Sequence, residues 1–289
     1  MTMQRLTLLP QPSRPLPAAE RTEVDHALPE ITSITRFAQG GRWRTEAMRS
    51  YDRPLLIWFT RGQGRMTVAG QSTGYSPHNA LFLPAGTMHG FSVSNLVLGQ
   101  ILWLPKSASG DWPEEPVHLR LREASRQREL TGLIGKIEDE LASGAELADD
   151  AARLHTKLLS IWFARTLAED STRAERPETR AVSLTEAFTA LVEQDFRRPV
   201  GVGYFADALG VTPTHLSRVC RAVSGHPALD ILVDRRHYEA CRLLRDTSLP
   251  VSDIARQTGF RSAAYFTRAF KSRAAMTPSA FRKVSSAAT

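Results

Sequence analysis

A tandem pair of helix-turn-helix patterns near the C-terminus constrains the fold of this chain more than any other feature. In the first pattern, residues 203–209 form a short amphipathic helix that Gly210 can end, because glycine readily adopts the left-handed conformation that stops a helix. Thr212 and Pro213 suit the N-cap and the first position of a second helix, whose apolar side begins at Leu216. The sequence therefore predicts two short helices joined by a tight turn.

The outer side of this second helix is polar and basic. Thr214, Ser217 and Arg218 are predicted to read base edges, and Thr212 and Arg221 are predicted to contact phosphates. Hydrogen-bond donors and positive charge on one face are what the major groove requires of a recognition helix. A nucleic-acid-binding role is therefore predicted for this face.

The same pattern recurs about fifty residues later, with a first helix at residues 250–258 and a turn at Gly259. A single corner of this kind occurs in many helical proteins, but two in tandem, each with arginine outside, favour DNA binding. The predicted base-reading positions of the second unit are Ala263, Tyr265 and Arg268, and its predicted phosphate contacts are Arg261, Ser262 and Lys271. Because Ala263 offers only an apolar contact, this unit is expected to read DNA more by shape than the first.

The segment between the two units, residues 229–246, has apolar residues at helical spacing and contains neither proline nor glycine. Its eighteen residues would span about 27 Å at the rise of an α-helix. One turn of B-DNA measures about 34 Å. A helix of this length can therefore hold two recognition helices in successive major grooves on one face of a duplex.

Residues 183–283 resemble the DNA-binding domain of the AraC family of bacterial transcription regulators. The matching residues of the second unit are Asp253, Ile254, Ala255, Gly259, Phe260, Tyr265, Phe266, Arg268, Phe270, Lys271, Thr277, Pro278, Ser279 and Arg282. The first unit matches through His215, Leu216, Ser217, Arg218, Gly225, His226 and Pro227. Ala275 stands where the family usually has glycine, Phe281 where it has tyrosine, and Cys220 where it has a larger apolar residue. These departures bear on packing rather than on DNA contacts.

The positive charge of the chain is concentrated in this region. From Ala181 onward, 15 Lys and Arg stand against 9 Asp and Glu, a net charge of +6. Residues 1–180 carry 22 against 21, a net charge of +1. A cationic domain beside a nearly neutral one is typical of a phosphate-binding half joined to a half with another task.

Upstream, residues 31–104 are predicted to be β-structure. Four strands are predicted, at residues 54–60, 65–69, 80–83 and 94–103, with a turn at residues 70–74. Short strands at this spacing favour a sandwich or a small barrel. The predicted fold class of the whole chain is α+β with two domains.

Residues 83–89 (LPAGTMH) resemble the second motif of cupin barrels. Beside the AraC-type region, this resemblance implies a cupin-like domain that holds a small-molecule effector. The candidate effector-binding residues, chosen from strand alternation, are Arg49, Tyr51, Trp58, His89 and Trp103.

A metal site of the cupin kind needs several convergent histidine or carboxylate ligands. His89 stands where one ligand would be, but no histidine lies between His26 and His78. The paired histidines of the first cupin motif are therefore missing. No metal and no other cofactor are predicted.

Residues 112–168 are predicted to be helical, with two amphipathic stripes interrupted at Gly144. The resemblance implies that this hairpin mediates dimerisation; the alternative is that it only covers the barrel. Ser183 and Glu186 are predicted to form a capping box that begins the C-terminal domain. The predicted division is an N-terminal arm (1–27), a cupin-like effector domain (28–110), a helical hairpin (111–169), a linker (170–182) and an AraC-type DNA-binding domain (183–289).

The remaining features indicate the compartment. The proline-rich arm suits either an irregular tail or a segment folded over the effector pocket. Cys220 and Cys241 fall at apolar helix positions, which predicts buried free thiols rather than a disulfide. No apolar run approaches the length of a membrane span, and no signal-peptide core is present. A cytoplasmic location is predicted.

The resemblance implies a transcription regulator rather than an enzyme. Its implied partners are double-stranded promoter DNA, RNA polymerase, a small-molecule effector and a second copy of the chain. Three alternatives stay open: a regulator whose barrel is purely structural, a metal-dependent cupin enzyme fused to a DNA-binding domain, and a DNA-repair methyl acceptor. The last of these needs an activated, accessible cysteine.

Overall fold

The computed structural model describes residues 27–106, 112–169 and 179–286. A β unit comes first, a helical hairpin follows, and the remaining helices form a C-terminal unit. This order confirms the predicted α+β class. The predicted arm up to residue 26 and residues 170–178 of the predicted linker lie outside the described residues. None of the helices in the described ranges has the length and apolar character that a bilayer crossing requires.

Two antiparallel sheets build the N-terminal unit. Their strands are β1 (Glu30–Ser33), β2 (Leu55–Arg61), β3 (Gly64–Val68), β4 (Gln71–Tyr75), β5 (Asn79–Leu83), β6 (His89–Phe91), β7 (Leu98–Trp103) and β8 (Val117–Arg120). The larger sheet has the strand order β1-β7-β2-β5-β8, and the smaller one has the order β4-β3-β6. A short helix α1 (Ile34–Ala38) and one 3-10 turn (Arg42–Arg44) lie between β1 and β2.

Strand β2 lies in the middle of the larger sheet and is buried on both faces over most of its length. Leu55, Ile57 and Phe59 pack into the core shared by the two sheets. Leu56 and Trp58 point the other way, into the core shared with the helical hairpin. Because successive strand residues face opposite sides, one continuous apolar run supplies two cores.

Two sequence predictions in this unit are wrong. Strand β4 occupies the predicted turn, and the actual turn is confined to Ala69 and Gly70, which both have positive φ. An edge strand such as β4 needs few apolar residues, so its polar sequence hides it. The strand predicted at residues 94–103 begins only at Leu98.

Helices α2 (Ala124–Ser143) and α3 (Ala148–Glu169) form the hairpin. Arg126 near the start of α2 reaches Thr166 near the end of α3, so the two helices run antiparallel. Leu130 and Phe163 pack on the outer face of the larger sheet. The helical prediction for residues 112–168 is wrong at its start, because β8 extends the sheet there by pairing with β5.

The C-terminal unit consists of seven helices in the described residues. They are α4 (Arg180–Asp195), α5 (Val202–Ala208), α6 (Pro213–Ser224), α7 (Ala228–Asp246), α8 (Val251–Gln257), α9 (Ala263–Ala274) and α10 (Pro278–Ser286). One core joins α4, α5 and α6 to the first part of α7. A second core joins α8, α9 and α10 to the rest of α7. Helix α7 therefore belongs to both halves.

The predicted capping box at Ser183 is wrong. The N-cap of α4 is Thr179, whose side chain accepts a hydrogen bond from the Val182 backbone N–H at 3.3 Å. Ser183 lies inside the helix and donates to the Thr179 carbonyl instead. Glu186 accepts a 2.6 Å hydrogen bond from Gln71 of β4. A tertiary partner thus takes the carboxylate that a capping box would use locally.

The segment from Arg42 to Tyr51 fastens the β unit to the C-terminal helices. The Met48 backbone N–H donates to Asp234 Oδ2 of α7 at 2.7 Å, and the Met48 side chain enters the first helical core. Trp43 enters the second helical core and lies 5.5 Å from the ring of Tyr238. One short segment of the β unit therefore contacts both halves of the helical unit.

The C-cap of α9 generates a stability prediction. Helix α6 ends at Gly225 (φ 84°), whereas α9 ends at Ala275, held in the left-handed region at φ 57°. A Cβ in this region is strained, so Ala275→Gly should raise the free energy of unfolding by about 0.5–1 kcal/mol. Thermal and urea unfolding of the two proteins would measure the change.

The matched control is Gly225→Ala, at a position where an added Cβ would meet no atom within 4 Å. Only backbone strain changes there, so a loss of similar size is expected. If Ala275→Gly is neutral or destabilising while Gly225→Ala is destabilising, strain at the end of α9 does not limit stability.

Candidate nucleic-acid interface

Helices α5 and α6 form the first helix-turn-helix unit. Gly210 makes the turn at φ 65°, and the Thr212 side chain caps α6 by accepting from the His215 backbone N–H at 3.2 Å. Leu216 and Cys220 are completely buried against α4 and α7. The buried side fixes the orientation of α6, so its opposite side faces outward.

The outward side of α6 carries the residues that the sequence singles out. Thr212, Thr214, Arg218 and Arg221 are exposed, and Ser217 is half-buried. Arg218 Nη2 lies 3.2 Å from His215 Nδ1, which orients the guanidinium on the surface. Helix α6 contains no acidic residue. This face therefore offers hydrogen-bond donors and positive charge with no carboxylate of its own helix to compete for them.

Helices α8 and α9 repeat the arrangement. Ser262 caps α9 by accepting from the Tyr265 backbone N–H at 3.2 Å, and Phe266 and Phe270 anchor its buried side. Gly259 makes the turn at φ 78°, where an added Cβ would lie only 2.5 Å from the Phe196 carbonyl oxygen. The turn thus requires glycine for both conformation and space.

The outward side of α9 is less polar than that of α6. The predicted DNA-contacting residues on and just before α9 are all exposed, namely Arg261, Ser262, Ala263, Tyr265, Arg268 and Lys271. Tyr265 keeps 44% of its surface exposed although its ring lies 5.8 Å from that of Phe260. Arg261 Nε donates to the Pro199 carbonyl at 3.0 Å, which fixes the side chain to the loop before α5. The predicted residues of each unit thus lie on or just before one helix, and all are exposed except the half-buried Ser217.

Helix α7 links the two units through one buried arginine. Arg236 donates from Nε to the Phe196 carbonyl at 2.7 Å, and from Nη2 to the carbonyls of Arg198 and Val200 at 2.7 and 2.9 Å. Burial lowers the pKa of Arg236 to about 10, so the side chain keeps its charge at neutral pH. Its guanidinium also lies 5.8 Å from the ring of Phe260 in the second unit. No sequence pattern singles this residue out, because its partners are backbone carbonyls about 40 residues away.

A buried carboxylate next to it binds a second set of arginines. Glu239 of α7 accepts from Arg197 at 2.8 Å and from Arg242 at 3.0 Å, and lies 3.8 Å from Arg235. Burial alone would raise the pKa of Glu239, but the hydrogen bonds and charges of these arginines lower it to about 2. The carboxylate is therefore ionised in the physiological range and holds the loop after α4 against α7.

The contacts of Arg236 predict a large effect on stability. Arg236→Met keeps the apolar stem but removes three charge-assisted hydrogen bonds and leaves three loop carbonyls without their donor. A loss of about 3 kcal/mol or more in the free energy of unfolding is expected. Urea unfolding followed by circular dichroism would measure it.

Arg256→Met provides the matched control, because Arg256 is exposed and, among the described residues, its ion-pair partner is Asp253, three residues earlier on the same helix. An exposed pair of this kind contributes at most about 1 kcal/mol. A loss for Arg236→Met no greater than for Arg256→Met would show that the buried guanidinium does not brace the two units.

The five candidate effector residues do not form one cluster. Tyr51 and Trp103 line a cleft, with their rings 5.6 Å apart at nearly a right angle. Arg49 and His89 are buried behind them, Arg49 donating to the Tyr51 hydroxyl at 3.2 Å. Trp58 lies on the opposite face of the larger sheet, where its Nε1 donates to Thr131 of α2. Placing Trp58 in the pocket is therefore wrong, since it points into the hairpin core.

His89 is buried and neutral. Burial, with a smaller contribution from the charge of Arg49, holds the pKa of His89 well below its usual range. Its Nδ1 lies 2.9 Å from the Thr87 carbonyl. Among the described residues, no group of three or more His, Cys, Asp or Glu is arranged to hold a metal ion.

The cleft holds about 310 Å³ and lies between the β unit and α7. Sequence reasoning identified two of its residues and missed the others, because they come from distant parts of the chain. Its lining residues are Glu30, Phe37, Trp43, Arg44, Tyr51, Asp52, Arg53, Trp103, Tyr238, Arg242 and Arg245.

Both cysteines are buried free thiols. Burial raises the pKa of Cys220 to about 11 and that of Cys241 well above its usual range. Neither thiol therefore has the accessible, ionised form that a methyl acceptor requires.

Comparison with known proteins gives a match over the same region. Residues 205–284 match the family model described as a helix-turn-helix domain. The HTH-type transcriptional regulator GlxA of Rhizobium meliloti (strain 1021) is 37% identical over 92 residues, which cover 32% of this chain and 28% of that relative. The likeness to GlxA is thus confined to less than a third of either protein.

Two further proteins match over most of the chain. The HTH-type transcriptional activator RhaR of Escherichia coli O139:H28 (strain E24377A / ETEC) is 24% identical over 249 residues, covering 80% of this chain and 84% of that relative. The crystal structure of ToxT from Vibrio cholerae O395 covers 88% of this chain and 96% of ToxT, with 13% identity and a TM-score of 0.44. The sequence relatives are thus transcription regulators.

Proposed function

We propose that this chain is an AraC-type transcription regulator, which binds promoter DNA sequence-specifically under the control of a small effector; the match of residues 205–284 to a helix-turn-helix domain supports this. The observation that carries the proposal is the pair of outward faces on α6 and α9, braced by one shared helix. Each face presents Arg with Ser or Thr and is anchored by buried apolar residues on its other side. Such faces suit successive major grooves.

The two units differ in how they would read DNA. Thr214, Ser217 and Arg218 of α6 supply hydrogen bonds to base edges, and Arg218 suits the bidentate contact to guanine. On α9, Ala263 supplies only an apolar contact, as to a thymine methyl group, so that unit depends more on DNA shape. Phosphate contacts are assigned to Thr212, Arg221, Arg261, Ser262 and Lys271.

Arg218→Ala tests base readout. Removing a bidentate base contact should weaken specific binding by about 1–3 kcal/mol and leave nonspecific binding nearly unchanged. Fluorescence anisotropy on the regulator's own promoter and on a scrambled duplex, at one salt concentration, would separate the two effects.

Arg65→Ala is the matched control, since Arg65 is exposed on β3 in the β unit. It should bind both duplexes like the wild-type protein. Full affinity of Arg218→Ala for the promoter would remove Arg218 from the base-reading residues.

The helical hairpin is assigned to dimerisation. Leu154 and Leu158 lie one turn apart on α3 and are 66% and 50% exposed, and Leu147 just before the helix is 70% exposed. A second copy of the chain would bury this apolar strip. The alternative, that the hairpin only covers the sheet, does not account for the exposure of these leucines.

A double variant tests this assignment. Leu154→Glu with Leu158→Glu should convert a dimer into a monomer, because charges cannot be buried in an apolar interface without a partner. Sedimentation velocity would give the mass. Leu96→Glu, at a loop residue that is 70% exposed, is the control and should leave the mass unchanged. A dimeric double variant would assign dimerisation elsewhere.

RNA polymerase is the expected protein partner of the DNA-bound regulator. Two alternatives concern the β unit: it is a structural module without an effector, or it is a metal-dependent enzyme. The second alternative finds no support in the described residues, which contain no arrangement of ligands for a metal. Binding of an effector to the β unit would exclude the first.

A further inference from the structure

The cleft between the β unit and α7 has a mixed aromatic and basic lining. Five rings form its apolar part: Phe37, Trp43, Tyr51, Trp103 and Tyr238. Their neighbouring ring centroids lie 5.5–5.7 Å apart, at the spacing of packed aromatic pairs. A volume of about 310 Å³ is at the small end of the range for ligand clefts. The space suits a flat molecule of one or two rings.

Most charges around the cleft are already paired. Arg53 pairs with Glu30 at 2.7 Å, Lys106 pairs with Asp52 at 2.8 Å, and Arg245 pairs with Asp246 at 2.6 Å. Arg242 pairs with the buried Glu239 at 3.0 Å. Within each pair the two charges cancel, so these pairs add little net charge to the cleft.

Arg44 is the exception. It is half-buried, and within the described ranges no carboxylate lies at ion-pair distance from it. Burial lowers the pKa of Arg44, and the nearby charge of Arg245 lowers it further. Its guanidinium lies 4.6 Å from the centre of the Phe37 ring. The charge of Asp246, which pairs with Arg245, offsets that of Arg44 only in part, so a cation without an ion-pair partner lies at an aromatic wall of the cleft.

Arg53 supplies a second unfilled donor. Its side chain is only 7% exposed and lines the cleft, and its Nη1 is buried without a hydrogen-bond partner among the described residues. An unsatisfied buried donor is destabilising and is rare in folded proteins. A ligand oxygen in the cleft would satisfy it.

We propose that this cleft binds a small aromatic monocarboxylate, whose ring lies among the five aromatic side chains and whose carboxylate meets Arg44 and Arg53. One negative charge balances Arg44, the one arginine of the cleft lining without an ion-pair partner among the described residues, and carboxylate oxygens match the planar donors of guanidinium groups. The inference rests on the proposed effector control and names both the effector's chemical class and its place.

The position of the cleft gives the ligand a route to the DNA-binding helices. Tyr238, Arg242 and Arg245 belong to α7, whereas the other lining residues belong to the β unit. A bound anion therefore contacts both units at once. Ligand binding and the arrangement of the two reading helices are coupled through α7.

Calorimetric titration of the full-length protein tests the proposal. The probes are phenylacetate and indole-3-acetate, each compared with its neutral amide, and inorganic phosphate as an anion without a ring. At least one acid should bind about tenfold or more tightly than its amide and than phosphate, because charge and ring both contribute. The absence of binding by both acids, or equal binding of acid, amide and phosphate, would overturn the proposal.

Variants locate the binding site. Arg44→Met should abolish acid binding, Arg53→Lys should weaken it about tenfold because one guanidinium donor is lost, and Arg65→Met, on the exposed face of β3, should leave it unchanged. Without ligand, Arg44→Met should melt at or above the wild-type temperature, since it removes an uncompensated charge beside Arg245. A large drop in melting temperature would make Arg44 a structural residue and overturn its assignment.

Promoter binding, measured on the same preparations without a probe, distinguishes failure of the proposed cleft ligand from failure of the proposed function. Normal promoter binding with no acid binding refutes the cleft ligand alone. Acid binding with no affinity for any promoter duplex refutes the proposed function and supports the cleft as a ligand site.

Discussion

The buried guanidinium of Arg236 is the interaction on which the rest of the helical unit depends. Two helix-turn-helix units pack their separate cores on α7, and Arg236 of that helix adds polar contacts that reach both units. Arg236 binds three carbonyls of the loop between α4 and α5 and reaches the Gly259–Phe260 turn of the second unit. A cation buried this deeply is tolerated because carbonyl oxygens replace its hydration shell. The loop in turn cannot move without breaking several charge-assisted hydrogen bonds.

Local signals in the sequence predict this unit well, since its turns and caps depend on neighbouring residues. Gly210, Thr212, Gly259 and Ser262 have the conformations or hydrogen bonds that their residue types favour. The β unit is harder to predict because strand pairing is nonlocal. The polar edge strand β4 resembles a loop. Side chains alternate along β2, so a shift of one residue in the assumed alternation decides whether Trp58 faces the core between the sheets or, as it does, the hairpin. Most of the cleft lining could not be predicted from the sequence, because Arg44 and Arg53 come together with Tyr238 only when the two units pack against each other.

The docking contacts explain how the β unit can influence DNA binding without covering the reading faces. Arg218 and Arg268 remain exposed, while the β unit contacts α4, the end of α6, and α7. The core between the two sheets is filled by side chains such as Phe59, Tyr75 and Phe91, with Phe59 and Tyr75 stacked 4.0 Å apart. The cleft of about 310 Å³ lies instead at the edge of the β unit, beside α7. The ligand that we propose there would act on α7 rather than on the proposed DNA-contacting faces themselves.

Asp234 shows how a shift in the 42–51 segment would reach the second unit. One of its oxygens accepts from the Met48 backbone N–H at 2.7 Å, and the other lies 3.8 Å from Arg273 near the end of α9. Trp43, at the other end of the segment, packs against Tyr238 and Phe281. The first unit is held through Met48 of the same segment, whose side chain enters its core, and through Gln71 with Glu186 and Ser72 with the Ser224 carbonyl. Because the segment around the cleft contacts both units, a ligand that shifted it would act on the arrangement of α6 and α9. Spacing between the two DNA contacts, rather than access to either, is then the quantity that an effector would control.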